Sequence, residues 1–448
     1  MSSIKKQAIR GAILTIAGYG LGNILRLGTN LILSRLLVPE FFGLLALVNV
    51  FIVGLHLFSD IGLGPSVIQN KRGDEPAFLN TAWTMQVIRG IFLWCCCFLI
   101  AWPLAHFYNN PQLLWLIPIV GLNTLISAFN STALYKLGRH LAIGKLMVYE
   151  FGAQVIGSSV MIAWAWFNPT VWALVVGSIA SSLVQLVWSY WLIPGQSNSF
   201  TWDREVVKEI FSLGKWIFMS TAVAFLGTQA DRLILGKLIP ISVLGVYGIA
   251  MTFSEMPRGI AGAVSNKVML PAASKLADLP REAFRVKILQ NRRLLLIGCA
   301  LLVIGLTSFG DLLILALYDK RYVQAAWMLP ILALGIWPNL LFESVRQILM
   351  AIGVPKYEAS GQFLKCLFVC IGLPLGFYLN GLVGAVIVVA LNDLPIYGAI
   401  AYGLWCEGLS TIKQDIQMTV ILFALLTLVL MARYFLGFGF PISGLFHT

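Results

Sequence analysis

This chain is poor in charge, and above all in acid. Only 11% of its 448 residues are Asp, Glu, Lys or Arg, and Asp and Glu together number 19. No polar stretch is long enough to fold as a domain of its own. The sequence has no GxSxG, no HExxH and no P-loop, and no outer connection carries a carboxylate pair of the kind that holds a metal for glycosyl transfer. A self-contained ATP-driven pump is excluded with the nucleotide-binding segment it needs. The seven cysteines lie in or beside apolar runs and form no disulfide framework. Cys366 and Cys370, at i and i+4, read as small apolar filler rather than a metal pair. No cofactor, no metal and no nucleic acid is implied.

What is present is hydrocarbon. Hydrophobic residues make up 59% of the chain, and the mean hydropathy is +0.85. Water would not tolerate that much apolar surface. In lipid every backbone polar group has to be paired, which predicts an all-α polytopic membrane protein. A span needs about 20 mostly apolar residues. Thirteen stretches qualify: 11–33, 41–66, 78–104, 113–134, 146–167, 170–193, 213–236, 243–266, 294–316, 324–350, 360–379, 382–405 and 416–436. The first follows Lys5, Lys6 and Arg10 but is too long for a signal-peptide core.

Basic residues orient the chain. With the N-terminus in the cytoplasm, 21 of the 31 Lys and Arg fall in cytoplasmic segments. Arg35, Lys237, Lys320, Arg321 and Arg433 fall outside, and the rest lie within spans. The net charge of +12 is therefore a topological signal and an attraction to anionic headgroups.

Helices 1–6 and 7–12 read as two copies of one unit. Leu31-Ile-Leu-Ser-Arg-Leu-Leu37 recurs as Leu233-Ile-Leu-Gly-Lys-Leu-Ile239, and Gly43 falls on Gly245 at the same offset. An even number of helices per copy predicts parallel repeats, a six-helix lobe each, around a central cavity. The divisions are 1–193 for the first lobe, 194–215 for a cytoplasmic amphipathic linker, 216–405 for the second lobe and 406–448 for an extra helix and tail. In the linker, Val207, Ile210, Phe211 and Gly214 form an apolar stripe. In 267–293, Ala283, Phe284 and Ile288 form another after Pro280. Both read as helices lying in the membrane surface.

Ionisable groups inside a membrane are costly and point to function. Arg26 and Arg89 sit well inside their helices with no acid one turn away. Either they pair with Asp60 across helices, or they await an anion, which a planar guanidinium binds through two oxygens. Asn23, Asn30, Asn123, Asn130, Gln154, Glu343 and Arg346 read as polar cavity lining. Glu255/Arg258 and Glu343/Arg346 are i, i+3 pairs that neutralise each other, and Asp231 and Arg232 are placed to snorkel at a helix end. His56 is either a packed histidine or, with Asp60 four residues on, a proton-coupling group. Asp231, Glu255 and Asp393 complete the coupling candidates.

The run Leu33-Ser-Arg-Leu-Leu-Val-Pro-Glu-Phe-Phe-Gly43, with Asp60-Ile-Gly-Leu-Gly64 and Val67-Ile-Gln-Asn-Lys71, resembles the start of the polysaccharide flippases. These are the Wzx-like and teichuronic- or colanic-acid exporter members of the multidrug/oligosaccharidyl-lipid/polysaccharide superfamily. Gln229-Ala-Asp-Arg-Leu-Ile-Leu-Gly236, Leu244-Gly-Val-Tyr-Gly-Ile-Ala250, Pro257 and Pro271 resemble that family's helix 7–8 region. The resemblance spans about residues 5–410. It implies a two-lobed transporter in a bacterial inner membrane, flipping an undecaprenyl-diphosphate-linked oligosaccharide for surface polysaccharide synthesis. Membrane lipids and the lipid-linked oligosaccharide are the implied partners, with a polysaccharide polymerase and glycosyltransferases beside them. Arg26 and Arg89 would then be candidates for the diphosphate. Two rivals remain: a cation-coupled drug exporter of the same superfamily, and a membrane polysaccharide polymerase or ligase. Thirteen spans depart from the family's twelve- and fourteen-helix patterns.

Overall fold

The computed structural model describes residues 2–59, 62–70, 72–140, 142–193, 198–265 and 280–442. Those residues form helices and connections, without a strand among them. The chain divides into two compact units, Met1–Phe225 and Leu226–Thr448.

The first unit holds α1 (Ser2–Leu36), α2 (Pro39–Phe58), α3 (Leu63–Gln69), α4 (Pro76–Phe107), α5 (Leu113–Ala128), α6 (Ala133–Arg139), α7 (Ile143–Phe167) and α8 (Trp172–Trp191). Then α9 (Arg204–Leu238) runs from the first unit into the second. The second unit continues with α10 (Ile241–Ser254), α11 (Met256–Val264), α12 (Arg281–Leu317), α13 (Val323–Gly335), α14 (Trp337–Ala351), α15 (Lys356–Leu391), α16 (Leu394–Cys406) and α17 (Ile412–Phe435). Prolines open α2, α4, α11 and α16 within their first two positions. There the missing N–H costs nothing.

The internal repeat is structural. α1 and α9 end at Leu36 and Leu238, and α2 and α10 begin at Pro39 and Ile241, so the offset of the repeated motif carries through both boundaries. Equivalent positions are buried in both copies: Leu33 and Leu235, Leu37 and Ile239, Leu47 and Ile249.

Among the described residues, eight helices are long and apolar enough to cross a membrane, or nine if α5 and α6, bent by 64°, make one span. Thirteen were expected; α1 and α9 are not among those that pass, and part of the remaining difference has local causes. The stretch Lys356–Cys406 passes as one segment but reverses within α15 at Asn380 and Gly381, where Gly381 has φ 57°. Tyr357 packs beside Gly403 and Ile396 beside Gly361, so the two arms run antiparallel. α10 and α11 are separate short helices that meet at Glu255. Large apolar side chains such as Phe92, Leu99, Trp102 and Leu428 are each more than half exposed, which suits lipid and not water. Close packing rests on small residues. Gly90 against Ala128, Gly157 against Ser181 and Gly376 against Gly384 leave no room for a Cβ.

Both expected surface helices are instead the first turns of long ones, and both dock on protein. Residues 198–203 lie along the start of α4. The amides of Ser199, Thr201 and Asp203 donate to Asn80 Oδ1 (3.2 Å), Thr84 Oγ1 (3.0 Å) and Thr81 Oγ1 (3.2 Å). Asp203 then caps α9 by accepting from the Glu205 amide at 2.9 Å. Val206 and Ile210 are buried with Leu63, Val67, Phe78 and Met85. The side chains of 211–224, and with them Phe211 and Gly214 of the expected stripe, and residues 194–197 and 266–279 lie outside the described set. Likewise Phe284 and Ile288, at the start of α12, pack with Val345, Leu349, Ile400 and Leu404. An amphipathic stripe in sequence gives only an apolar partner, and for Ile210, Phe284 and Ile288 that partner is the protein.

The thirteenth span, α17, is clamped to α12 at both ends. Arg292 of α12 pairs with Asp415 of α17 at 2.8 Å, both nearly inaccessible. Nineteen residues along α12, Asp311 pairs with Arg433 of α17 at 2.5 Å, again buried. Between them Met418, Leu422 and Leu426 pack with Leu296, Cys299 and Val303. The two helices therefore run parallel. Arg433 was expected in an outer segment, and it is instead the buried end of this clamp.

Candidate functional site

Among the described residues of the first unit, two polar cavities bear on the expected site. One, of about 260 Å³, is lined by His56, Gln86, Arg89, Thr124, Ser127 and Asn130 with Tyr135. It forms where the chain breaks between α5 and α6, a place where carbonyls at membrane depth need partners. Gln86 Nε2 donates to the carbonyls of Ala128 (2.9 Å) and Asn130 (3.2 Å), while Tyr135 OH donates to Gln86 Oε1 (2.8 Å). Tyr190 OH donates to the Phe129 carbonyl at 2.8 Å. His56 Nε2 lies 3.0 Å from Thr124 Oγ1. Arg89 is held at the C-terminal end of α2, its Nε donating to Ser59 Oγ (2.9 Å) and its Nη2 to the His56 carbonyl (2.7 Å). Cations are favoured there by the helix dipole. Part of Arg89's charge is thus already committed to the fold.

The other cavity, about 390 Å³, lies between α1 and α7 and is lined by Asn23, Arg26, Met147, Glu150, Phe151 and Gln154 among others. Gln154 Nε2 donates to the Gly22 carbonyl at 3.0 Å, which ties the two helices. Arg26 is exposed to this space. Among the described residues it makes no hydrogen bond or ion pair, although Glu150 shares the cavity. So the two expected arginines line different cavities. Asn30 sits one turn further along α1, half-buried. Asn123, expected as cavity lining, is spent between helices: it donates to Ser178 Oγ (3.0 Å) and accepts from Ser182 Oγ (3.0 Å) on α8. Asp60 lies outside the described residues.

The second unit carries a buried charge network. Arg258 reaches Glu255 at 3.1 Å and also pairs with Asp393, which in turn holds Lys365 Nζ at 2.6 Å. Arg346 bridges Glu343 (3.1 Å) and Glu358 (3.2 Å). The two i, i+3 pairs form as expected, but each reaches on to a further helix. The Glu255–Arg258–Lys365–Asp393 group balances two acids with two bases, whereas Glu343–Arg346–Glu358 has one acid in excess. Asp231 does not snorkel: it is buried and accepts from Tyr247 OH at 2.6 Å. Lys365 was counted with the cytoplasmic basic residues, yet it is 5% exposed and central to the network. Lys365 and Asp311 both fall inside expected spans, so hydropathy alone was enough to flag them. Their partners were not readable, because they sit on other helices. Among the described residues no group of three or more His, Cys, Asp or Glu is placed to hold a metal ion.

Outside the spans, the α3–α4 connection is a charged knot. Arg72 bonds Glu75 at 2.9 Å, and that hydrogen bond pushes its guanidinium further above its usual value. Asn70 Nδ2 donates to Glu209 of α9 at 2.6 Å. Arg139 of α6 pairs with Asp74 at 3.0 Å and donates to the Val67 carbonyl at 3.1 Å. These bonds fix the start of α9 to the first unit.

A family model described as polysaccharide biosynthesis protein matches residues 32–326. The teichuronic acid biosynthesis protein TuaB of Bacillus subtilis (strain 168) is 24% identical over 369 residues, 81% of this chain and 76% of that protein. The lipopolysaccharide biosynthesis protein WzxC of Escherichia coli (strain K12) is 23% identical over 427 residues, 89% of this chain and 83% of its own length. Among solved structures, lipid II flippase MurJ in an inward closed conformation superposes with a TM-score of 0.72 at 14% identity, covering 94% of this chain and 92% of its own. An inward-facing multidrug resistance MATE family transporter gives 0.65 at 13% identity, over 91% and 99%.

Proposed function

The chain belongs to the polysaccharide biosynthesis protein family, and on that premise we propose that it is a flippase for a lipid-linked oligosaccharide. The substrate class is an isoprenoid (undecaprenyl) diphosphate carrying a sugar chain, moved by alternating access from the cytoplasmic to the outer leaflet of the inner membrane. The N-terminus is cytoplasmic, as the basic residues direct. The observation that carries this reading is Arg26. An arginine within a membrane helix, exposed to a cavity and without a protein partner among the described residues, is costly unless an anion or a wet cavity compensates. A diphosphate supplies the anion, and a guanidinium grips it through paired oxygens. The same arginine argues against a cationic drug as cargo, because like charges repel.

Transport is coupled to protons or cations through titratable side chains. His56 and Asp60 are the candidates in the first unit, and Asp231, Glu255 and Asp393 in the second. The excess acid of the Glu343–Arg346–Glu358 group is a further place for a proton. The test is complementation of a flippase-deleted strain. Arg26→Ala should block polysaccharide export with normal protein in the membrane, and Arg26→Lys should restore it only in part. Full export by Arg26→Ala would remove this residue from the site. Asp60→Asn should abolish dependence on the pH gradient, and unchanged dependence would make Asp60 structural.

A further inference from the structure

Arg292 and Arg293 are neighbours with opposite fates. Arg292 is fully buried, paired with Asp415, and donates to Ser344 and the Leu341 carbonyl. Arg293 is exposed and, among the described residues, has no hydrogen bond or ion pair. It opens onto a cavity of about 540 Å³ beside α17, lined by Gln414, Gln417, Val420 and Ile421 among others. Among the described residues no acid lines this cavity with Arg293. Asp415, the carboxylate of that end of α17, is engaged by Arg292, Thr411 and Tyr397. Gln414 is also committed, its Nε2 donating to the Leu289 carbonyl at 2.8 Å. Among the described residues, Arg293 and the exposed Gln417 are the donors without a partner that line this mouth.

Going into the membrane from that mouth, polarity changes within one turn. Ile297 follows Arg293 by four residues and is 41% exposed, and Ile421 follows Gln417 by four and is 45% exposed. Both helices begin at this face, so Arg293 and Gln417 lie at headgroup depth and the isoleucines in the hydrocarbon. A positive charge with an amide donor, joined by the exposed Lys413 one turn before Gln417, lies above an apolar cleft between parallel helices and complements the polarity of an anionic phospholipid.

We propose that the α12–α17 cleft is a binding site for one anionic phospholipid of the phosphatidylglycerol class. Its phosphate diester is held by Arg293 and Gln417, and its acyl chains lie along Ile297 and Ile421. The site stands on charge complementarity at the membrane face and does not rest on the identity of the transported substrate. It places a lipid against the clamp that joins the thirteenth span to the second unit.

The experiment is native mass spectrometry of the full chain released from nanodiscs, titrated with phosphatidylglycerol and, separately, phosphatidylcholine. Phosphatidylglycerol should be retained in preference. A basic residue near an anionic lipid surface contributes about 1 kcal/mol, so Arg293→Ala should weaken phosphatidylglycerol retention about fivefold and phosphatidylcholine retention less, because the choline cation offsets that lipid's phosphate. Gln417→Leu should weaken it in the same direction, and Arg293→Lys should keep most of it. Lys320→Ala, at the opposite membrane face, removes the same charge and should have no effect. Wild-type retention in Arg293→Ala overturns the proposal. Equal loss in Lys320→Ala overturns it too, since bulk charge would then be the cause.

Discussion

At the scale of the residue, the two arginines singled out in the first unit differ in what their removal exposes. Arg26→Ala strands nothing, because no described group depends on it. Arg89→Ala removes two charge-assisted hydrogen bonds at the end of α2 and leaves the Ser59 Oγ to His56 carbonyl bond there, and a hydrogen bond to a charged group contributes about 1.5–3 kcal/mol. Arg89→Ala is therefore expected to lower the amount of folded protein where Arg26→Ala does not, which immunoblotting of membranes reads directly. Lys365 offers a sharper case. Breaking one partner of a buried ion pair costs about 3–5 kcal/mol, whereas replacing both with neutral groups of similar shape is often tolerated. Lys365→Met alone should cut the level of folded protein severely, and Lys365→Met with Asp393→Asn should recover most of it. If the double variant is as poor as the single, the 2.6 Å contact to Asp393 is not what holds Lys365.

At the scale of the element, α17 is the helix with most to say. Its reciprocal pairs are 18 residues apart along α17, Asp415 to Arg433, which is about 27 Å of helix. That nearly matches a hydrocarbon core of about 30 Å, so one pair sits near each membrane face. Arg292→Asp and Asp415→Arg should each destabilise the protein in detergent, and the double exchange should restore its melting temperature in part, since Ser344 and Leu341 would still lose their donor. No recovery in the exchange would count against the clamp. Packing by small residues makes a second demand. Gly157 faces Ser181 and the Gly177 carbonyl without space for a Cβ. Gly157→Val should lower thermal stability by about 1–3 kcal/mol, as overpacking does, and Gly248→Ala, which meets nothing, should not.

At the scale of the molecule, parallel α12 and α17 fix a topology. Their first residues share one membrane face and their last residues the other. In a variant lacking native cysteines, Glu282→Cys and Ser410→Cys should react with an impermeant thiol reagent from one side. Lys320→Cys and Phe438→Cys should react from the other. With a cytoplasmic N-terminus, the second pair is the outer one. Labelling of Ser410→Cys and Phe438→Cys from the same side would mean that α17 does not cross. The sequence alone determined the helical class, the repeat and most span positions, because hydropathy and chain offset are local properties that survive in one dimension. It also placed the i, i+3 pairs Glu255/Arg258 and Glu343/Arg346, since a single helix decides them. Which helices Lys365, Asp311 and Arg433 reach, whether an amphipathic stripe meets lipid or protein, and that Arg26 and Arg89 line separate cavities were decided only by tertiary structure. Each depends on a partner distant in sequence, and nothing in a residue's own neighbourhood says which helix will be packed against it.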